Sequence, residues 1–97
     1  MHARVSFYDL AGDRPDDAVS AFASAQEAVE KMQGNQGAML LVNRADAKAI
    51  SITFWNTEDD LRATTEQANQ ARQQVADRGG LSIRAVEPYE VALEFGR

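Results

Sequence analysis

The chain predicts an α+β fold in which one antiparallel sheet carries two helices on a single face. Three observations lead there. The stretch from Gly37 to Leu61 reads as strand, short turn, strand and helix start, and its second strand ends on the sole tryptophan, Trp55. A helical pattern precedes this hairpin and another follows it. Strand-like alternation stands at both ends of the chain. The order is β-α-β-β-α-β plus a terminal strand, the split-βαβ or ferredoxin-like arrangement.

Ala3 to Tyr8 (ARVSFY) is the first strand, with Ala3, Val5 and Phe7 on one face and Arg4, Ser6 and Tyr8 on the other. The loop from Asp9 to Arg14 leads to Pro15, whose missing N–H is no loss in a first helical turn. Asp13, with Asp16 three residues on, is placed to cap that helix. Val19, Phe22, Val29 and Met32 recur at helical spacing, with Ala18 and Ala25 beside them, so helix one runs to about Met32. Gly34 ends it as a C′ residue.

Ala38 to Val42 (AMLLV) is uniformly apolar, as in a strand covered on both faces. Lys48 to Trp55 (KAISITFW) alternates, with Ile50, Ile52 and Phe54 opposed to Ala49, Ser51, Thr53 and Trp55. The link from Arg44 to Ala47 is short enough to force antiparallel neighbours. Asn43 and Asn56 flank the hairpin as turn and cap residues. Thr57-Glu58-Asp59-Asp60 then supplies a hydroxyl N-cap and acids for the positive end of the helix dipole.

Helix two spans roughly Glu58 to Asp77 on a thin stripe of Leu61, Ala68, Ala71 and Val75, and Gly79-Gly80 terminates it. Leu81 to Glu87 is the fourth strand, with Leu81, Ile83 and Ala85 opposed to Ser82, Arg84 and Val86. Pro88 has no N–H to give a ladder, so it is expected to interrupt pairing before Tyr89 to Phe95 resumes alternation.

The helix-facing side of the sheet is most naturally Val5, Phe7, Ile50, Ile52, Phe54, Leu81 and Ile83. The opposite face then holds Arg4, Ser6, Tyr8, Ser51, Thr53, Trp55 and Arg84. The register of the Ala38–Val42 strand stays ambiguous, and its apolarity implies that the second face is also covered. One chain has no spare helix for that, so a homodimer packed sheet on sheet is expected, with the Tyr89–Phe95 arm pairing at the partner's edge.

Bulk properties narrow the chemistry. The 97 residues make one domain, residues 1–97, able to bury roughly two thirds of its unfolded surface. No cysteine is present, which removes thiol nucleophiles, iron–sulfur clusters and disulfides. A net charge of −5 repels nucleic acid, and no apolar run reaches the ~18 residues that span a bilayer. A cytoplasmic protein without nucleic-acid or membrane partners is expected. The carboxylates fall at helix starts (Asp16, Asp17, Glu58, Asp59, Asp60), where the dipole accounts for them, and no metal site is expected. Ser51 and Thr53 have no histidine near them for a nucleophilic triad, and no glycine-rich phosphate loop occurs.

The G-A-M-L-L-V strand after helix one, the I-T-F-W strand end and the N-T-E-D-D-L helix start together resemble the antibiotic biosynthesis monooxygenase-like family of dimeric α/β-barrel proteins, over Ala3 to Phe95. The resemblance implies two ferredoxin-like chains forming a barrel, each with a pocket between sheet and helices. It also implies activities ranging from cofactor-independent oxygenation of quinol-type aromatics to haem degradation, besides members with no assigned reaction. Trp55 matches the family's tryptophan at the end of the third strand. The haem-degrading branch adds a first-strand asparagine and a histidine about ten residues past the tryptophan. Here the first strand has no asparagine, the position ten beyond Trp55 is Thr65, and the sole histidine is His2.

A pocket for a planar aromatic is therefore expected, without bound cofactor. Trp55 would stack on it, Tyr8 would exchange a proton with a phenol, Thr53 would line it, and Arg4 or Arg84 would hold an enolate or carboxylate. Each has a plain structural counterpart: a core tryptophan, a tyrosine reaching water, and arginines paired with Glu87, Glu90 or Glu94. The alternative function is a non-catalytic small-molecule-binding or dimerisation module.

Overall fold

The computed structural model describes residues 1–11 and 14–96. Alternation in the first segment forms β1 (His2–Asp9), and Pro15 opens α1 (Pro15–Ser24). Arg14 takes the N-cap position; Asp13, expected there, lies outside the described residues. Helix one is broken at Ala25, and α2 (Gln26–Glu30) completes it. The hairpin is β2 (Asn35–Asn43) and β3 (Lys48–Trp55). Asn43 Oδ1 accepts from the Asp46 N–H at 3.0 Å, which holds its four-residue link.

Thr57 caps α3 (Glu58–Ala63), its hydroxyl accepting from the Asp60 N–H at 3.0 Å. Helix two is likewise in two pieces, because Thr64 interrupts it before α4 (Thr65–Gly79). The cause is local. Thr64 Oγ1 donates back to the Asp60 carbonyl at 2.8 Å, and Thr65 Oγ1 to the Leu61 carbonyl at 3.3 Å, a pattern that bends helices. Gly80, at φ 67°, closes α4 in the left-handed conformation. Gly79 lies against Ala18 and Ala21, so small residues let α1 and α4 approach closely.

The sheet order is β2-β3-β1-β4 with every pair antiparallel, completed by β4 (Ser82–Glu90). Where a break at Pro88 was expected, pairing runs on through it, opposite Arg4. β4 is an edge strand, and a residue whose N–H faces outward gives up no ladder bond. Residues 91–96 adopt no regular structure beside this chain's own sheet, and Leu93 and Phe95 are 77% and 82% exposed.

The main departure concerns which face the helices cover. Arg4, Ser6, Tyr8, Ser51, Thr53 and Trp55 point toward the helices, and Val5, Phe7, Ile50 and Ile52 point away. Contacts fix this. Arg4 bonds to α3, Ser6 to Arg72 of α4, and Tyr8 meets Phe22 of α1 edge-on at 5.3 Å. Leu81 and Ile83 do face the helices as expected; a bulge between Phe7 and Tyr8 shifts β4, so Ile83 pairs with Tyr8. β2 follows the same division, with Leu40 and Val42 packed on the core beneath the helices and Met39 and Leu41 in register with Ile52 and Ile50.

The buried core thus sits at one end of the helix layer, around Tyr8, Ala18, Ala21, Ala49, Val75 and Leu81. The apolar outer face of the sheet carries no helix of this chain.

Candidate functional site

Beneath the helices, the other end of the inner sheet face lines a half-open cavity of about 440 Å³. That volume is within the range that holds small organic ligands. The sheet contributes Arg4, Ser6, Tyr8, Ser51, Thr53 and Trp55 to its wall; α1 and α2 contribute Phe22 and Val29, and α4 contributes Ala68, Arg72 and Val75. Alanines on α4 keep that helix from filling the space. The cavity exists because the helix-facing stripe is thin.

Trp55 ends β3 and is 0% exposed. Its indole N–H donates to Thr53 Oγ1 at 3.0 Å, two residues back on the same strand face, which satisfies the one polar atom the ring brings inside. The Arg4 guanidinium carbon lies 5.1 Å from the ring centroid, a cation–π distance. Arg4 itself is 5% exposed. Its Nη2 donates to the Leu61 carbonyl at 2.5 Å and to Thr65 Oγ1 at 3.4 Å. Burial first, and the nearby charge of Arg72 second, push the Arg4 pKa down to about 10.

Tyr8 Oη and Ser51 Oγ share a hydrogen bond of 3.0 Å across β1 and β3. Arg72 reaches in from α4, its Nε donating to Ser6 Oγ at 3.1 Å and its Nη1 to Asn69 Oδ1 at 2.7 Å. Burial lowers its pKa, while the neighbouring Tyr8 hydroxyl acts in the opposite direction.

Of the five residues expected to meet a ligand, Trp55, Tyr8, Thr53 and Arg4 stand together on this cavity wall. Arg84 does not. It sits at the far end of β4, exposed and 3.6 Å from Asp9, beside a smaller depression with Phe7, Leu41 and Ile50 of the outer sheet face. Arg72 was missed, although it is four residues past Ala68 and three before Val75, on the face those two mark as inward. Thr65, at the position of the haem branch's histidine, bonds Arg4; His2 pairs in register with Trp55 and Glu90. Among the described residues no group of three or more His, Cys, Asp or Glu side chains is arranged to hold a metal ion. No helix among them is long and apolar enough to cross a membrane.

This α+β arrangement of a four-stranded antiparallel sheet with helices is shared with solved antibiotic biosynthesis monooxygenase-type proteins, and the chain has their fold. It is similar to a candidate antibiotic biosynthesis monooxygenase from Bordetella bronchiseptica, at 16% identity and TM-score 0.74, over 95% of this chain and 97% of that one. SnoaB, a cofactor-independent oxygenase from Streptomyces nogalater, superposes at TM-score 0.74 and 15% identity, covering 99% of this chain and 97% of its own. The heme-degrader MhuD from Mycobacterium tuberculosis does so at 0.75 and 18%, covering 99% and 100%. No protein-family model and no curated protein matches the sequence.

Proposed function

We propose that the chain is a one-domain cytoplasmic homodimer whose chamber binds a planar, quinol-like or polyketide-like aromatic and oxygenates it without a bound cofactor. The observation that carries this reading is the pairing of an apolar chamber of about 440 Å³ with a buried cation over its tryptophan wall. The apolar wall stacks a flat ring, which displaces water from the half-open cavity as it binds. The Arg4 cation favours the ring's anionic form, the state that gives electrons to dioxygen most readily. The Tyr8–Ser51 hydroxyl pair lies where a phenolic proton would be held.

The reaction balances without an external reductant. A ring CH2 becomes C=O, one oxygen atom stays on that carbon, and the other leaves as water with the two hydrogens. The substrate supplies all the electrons. The chamber's part is to orient the ring, keep bulk water away and stabilise developing charge.

The second copy is inferred from the outer sheet face. Val5, Phe7, Ile50, Ile52, Met39 and Leu41 form an apolar surface with no helix over it, and Leu41 is 47% exposed. A second sheet would cover it, and the tail from Val91 would then have a neighbour for Leu93 and Phe95.

The test is oxygen uptake by metal-free protein with a panel of anthrones and naphthols, whose keto forms carry the ring CH2, with the oxygenated product and the absence of hydrogen peroxide measured alongside and an anaerobic control. Uptake above the buffer rate with at least one member supports an oxygenase. Ligand binding without uptake moves the assignment to a non-catalytic binding module.

A further inference from the structure

Two cationic side chains share the chamber, and among the described residues no carboxylate pairs with either. Arg4 donates through Nη2, but its Nη1 is shut off from solvent and has no acceptor among the described residues. Leaving a buried charged donor unserved is costly, so such a group is well placed to gain from an incoming acceptor. Arg72 is held to Ser6, two residues along the same face of β1, which makes the two guanidiniums neighbours along the strand. Its side-chain acceptors, the Ser6 hydroxyl and the Asn69 amide, are both neutral.

The ion pairs of the described residues belong to Arg14, Lys31, Arg44, Arg62 and Arg84, all on the surface. Glu30 is the one carboxylate on the cavity wall among the described residues. It is exposed and takes a hydrogen bond from Gln26 at 2.7 Å. A chain of net charge −5 thus turns two arginines inward, with no counter-ion for them among the described residues.

We propose that the chamber selects planar aromatics bearing a carboxylate, seated between Arg4 and Arg72. This rests on the reading of the chamber as an aromatic site and names the class of ligand it takes. One carboxylate oxygen accepts from Arg72 and the other from Arg4, whose guanidinium turns its enclosed Nη1 into the chamber to meet it, a charge-assisted pairing at both ends. With Arg4 lying over the indole, the anion is held beside Trp55 and the ring extends along the apolar wall toward Phe22.

The experiment is calorimetric titration of the protein with anthraquinone-2-carboxylate and with anthraquinone-2-carboxamide, its neutral counterpart of nearly the same shape. The carboxylate is expected to bind about tenfold more tightly or better. Arg72→Gln removes about tenfold of carboxylate affinity and leaves the carboxamide within about twofold, while Arg72→Lys recovers part of the loss. Arg4→Met acts in the same direction. Arg72 is half-buried rather than fully buried, so its variants keep the test valid if Arg4→Met does not fold. Equal affinities for the two ligands, or a carboxylate affinity untouched by Arg72→Gln, overturn the proposal and leave the aromatic chamber standing. Failure of both ligands to bind overturns the two together.

Discussion

The Arg4 guanidinium lies over the Trp55 ring, and the indole N–H donates in turn to Thr53, which pairs with Arg4 across the sheet. Strands β1 and β3 are therefore joined at this end by side chains as well as by their ladder. The same group of residues walls the chamber, so stability and binding are expected to fall together here.

Replacing Trp55 separates those two contributions. Trp55→Ala removes a fully buried aromatic and is expected to cost about 3–5 kcal/mol in urea unfolding. Trp55→Phe keeps an aromatic wall and loses the bond to Thr53, for about 1 kcal/mol. A Phe variant as unstable as the Ala variant would show that the indole N–H, and not the ring, dominates.

The pH dependence of anion binding follows from Arg4. Its pKa is depressed, by burial and then by Arg72, to about 10, so the side chain is a cation below that value and loses its proton as pH rises through it. Affinity for an aromatic carboxylate is accordingly expected to hold flat from pH 6 to 9 and to fall through about 10. Titrations across that window with the carboxamide should stay level, which separates Arg4 from any general loss of structure.

Gly34 joins the end of helix one to β2 at φ 74°, where its carbonyl accepts from the Asn56 N–H at 2.8 Å. A Cβ there would overlap the Asp60 carboxyl group. Gly34→Ala combines a left-handed backbone with a steric clash and is expected to cost about 2 kcal/mol or more. Unfolding midpoints for Gly34→Ala and for Gly37→Ala make the comparison: Gly37 also has positive φ but open space around it.

The bare sheet face predicts the assembly. Leu41→Glu places a charge at an exposed position outside the core, so the fold is expected to survive while the dimer dissociates. Sedimentation should give two chains per particle for the parent and one for the variant, with unchanged circular dichroism. A parent protein that sediments as one chain would remove the dimer from the account.

Much of the fold was legible in the sequence because its punctuation is chemical. Pro15, Gly34, Thr57 and Gly80 mark ends that the chain does use, and alternation in ARVSFY and KAISITFW identified two central strands. The helix breaks at Ala25 and Thr64 were not legible. The second depends on a threonine side chain turning back on its own helix, and threonine is common enough in helices to give no warning.

The face assignment failed for a more general reason. Apolar residues were assigned to the helices on the premise that a sheet has one face to bury. Here the inner face has to wall a chamber, and Arg4, Ser6, Tyr8, Ser51 and Thr53 are what such a wall requires. The apolar set is turned outward. Four of the expected site residues still converged, because they alternate on one face of β1 and β3 whichever way that face points. Arg84 did not, since the β4 bulge brings Ile83 opposite Tyr8 on the inner face and leaves Arg84 on the outer face, near Asp9 at the other end. Arg72 escaped notice because a polar residue on a mostly polar helix reads as solvated until the helix is docked.

Titration of Trp55 emission with a neutral planar anthraquinone reports occupancy of the chamber, since the sole tryptophan is fully buried in its wall. An aromatic chamber gives saturable quenching at one ligand per chain, lost when Ala68→Phe fills the cavity from α4. Emission that stays unchanged up to the solubility limit of the ligand, or quenching that persists in Ala68→Phe, would contradict it.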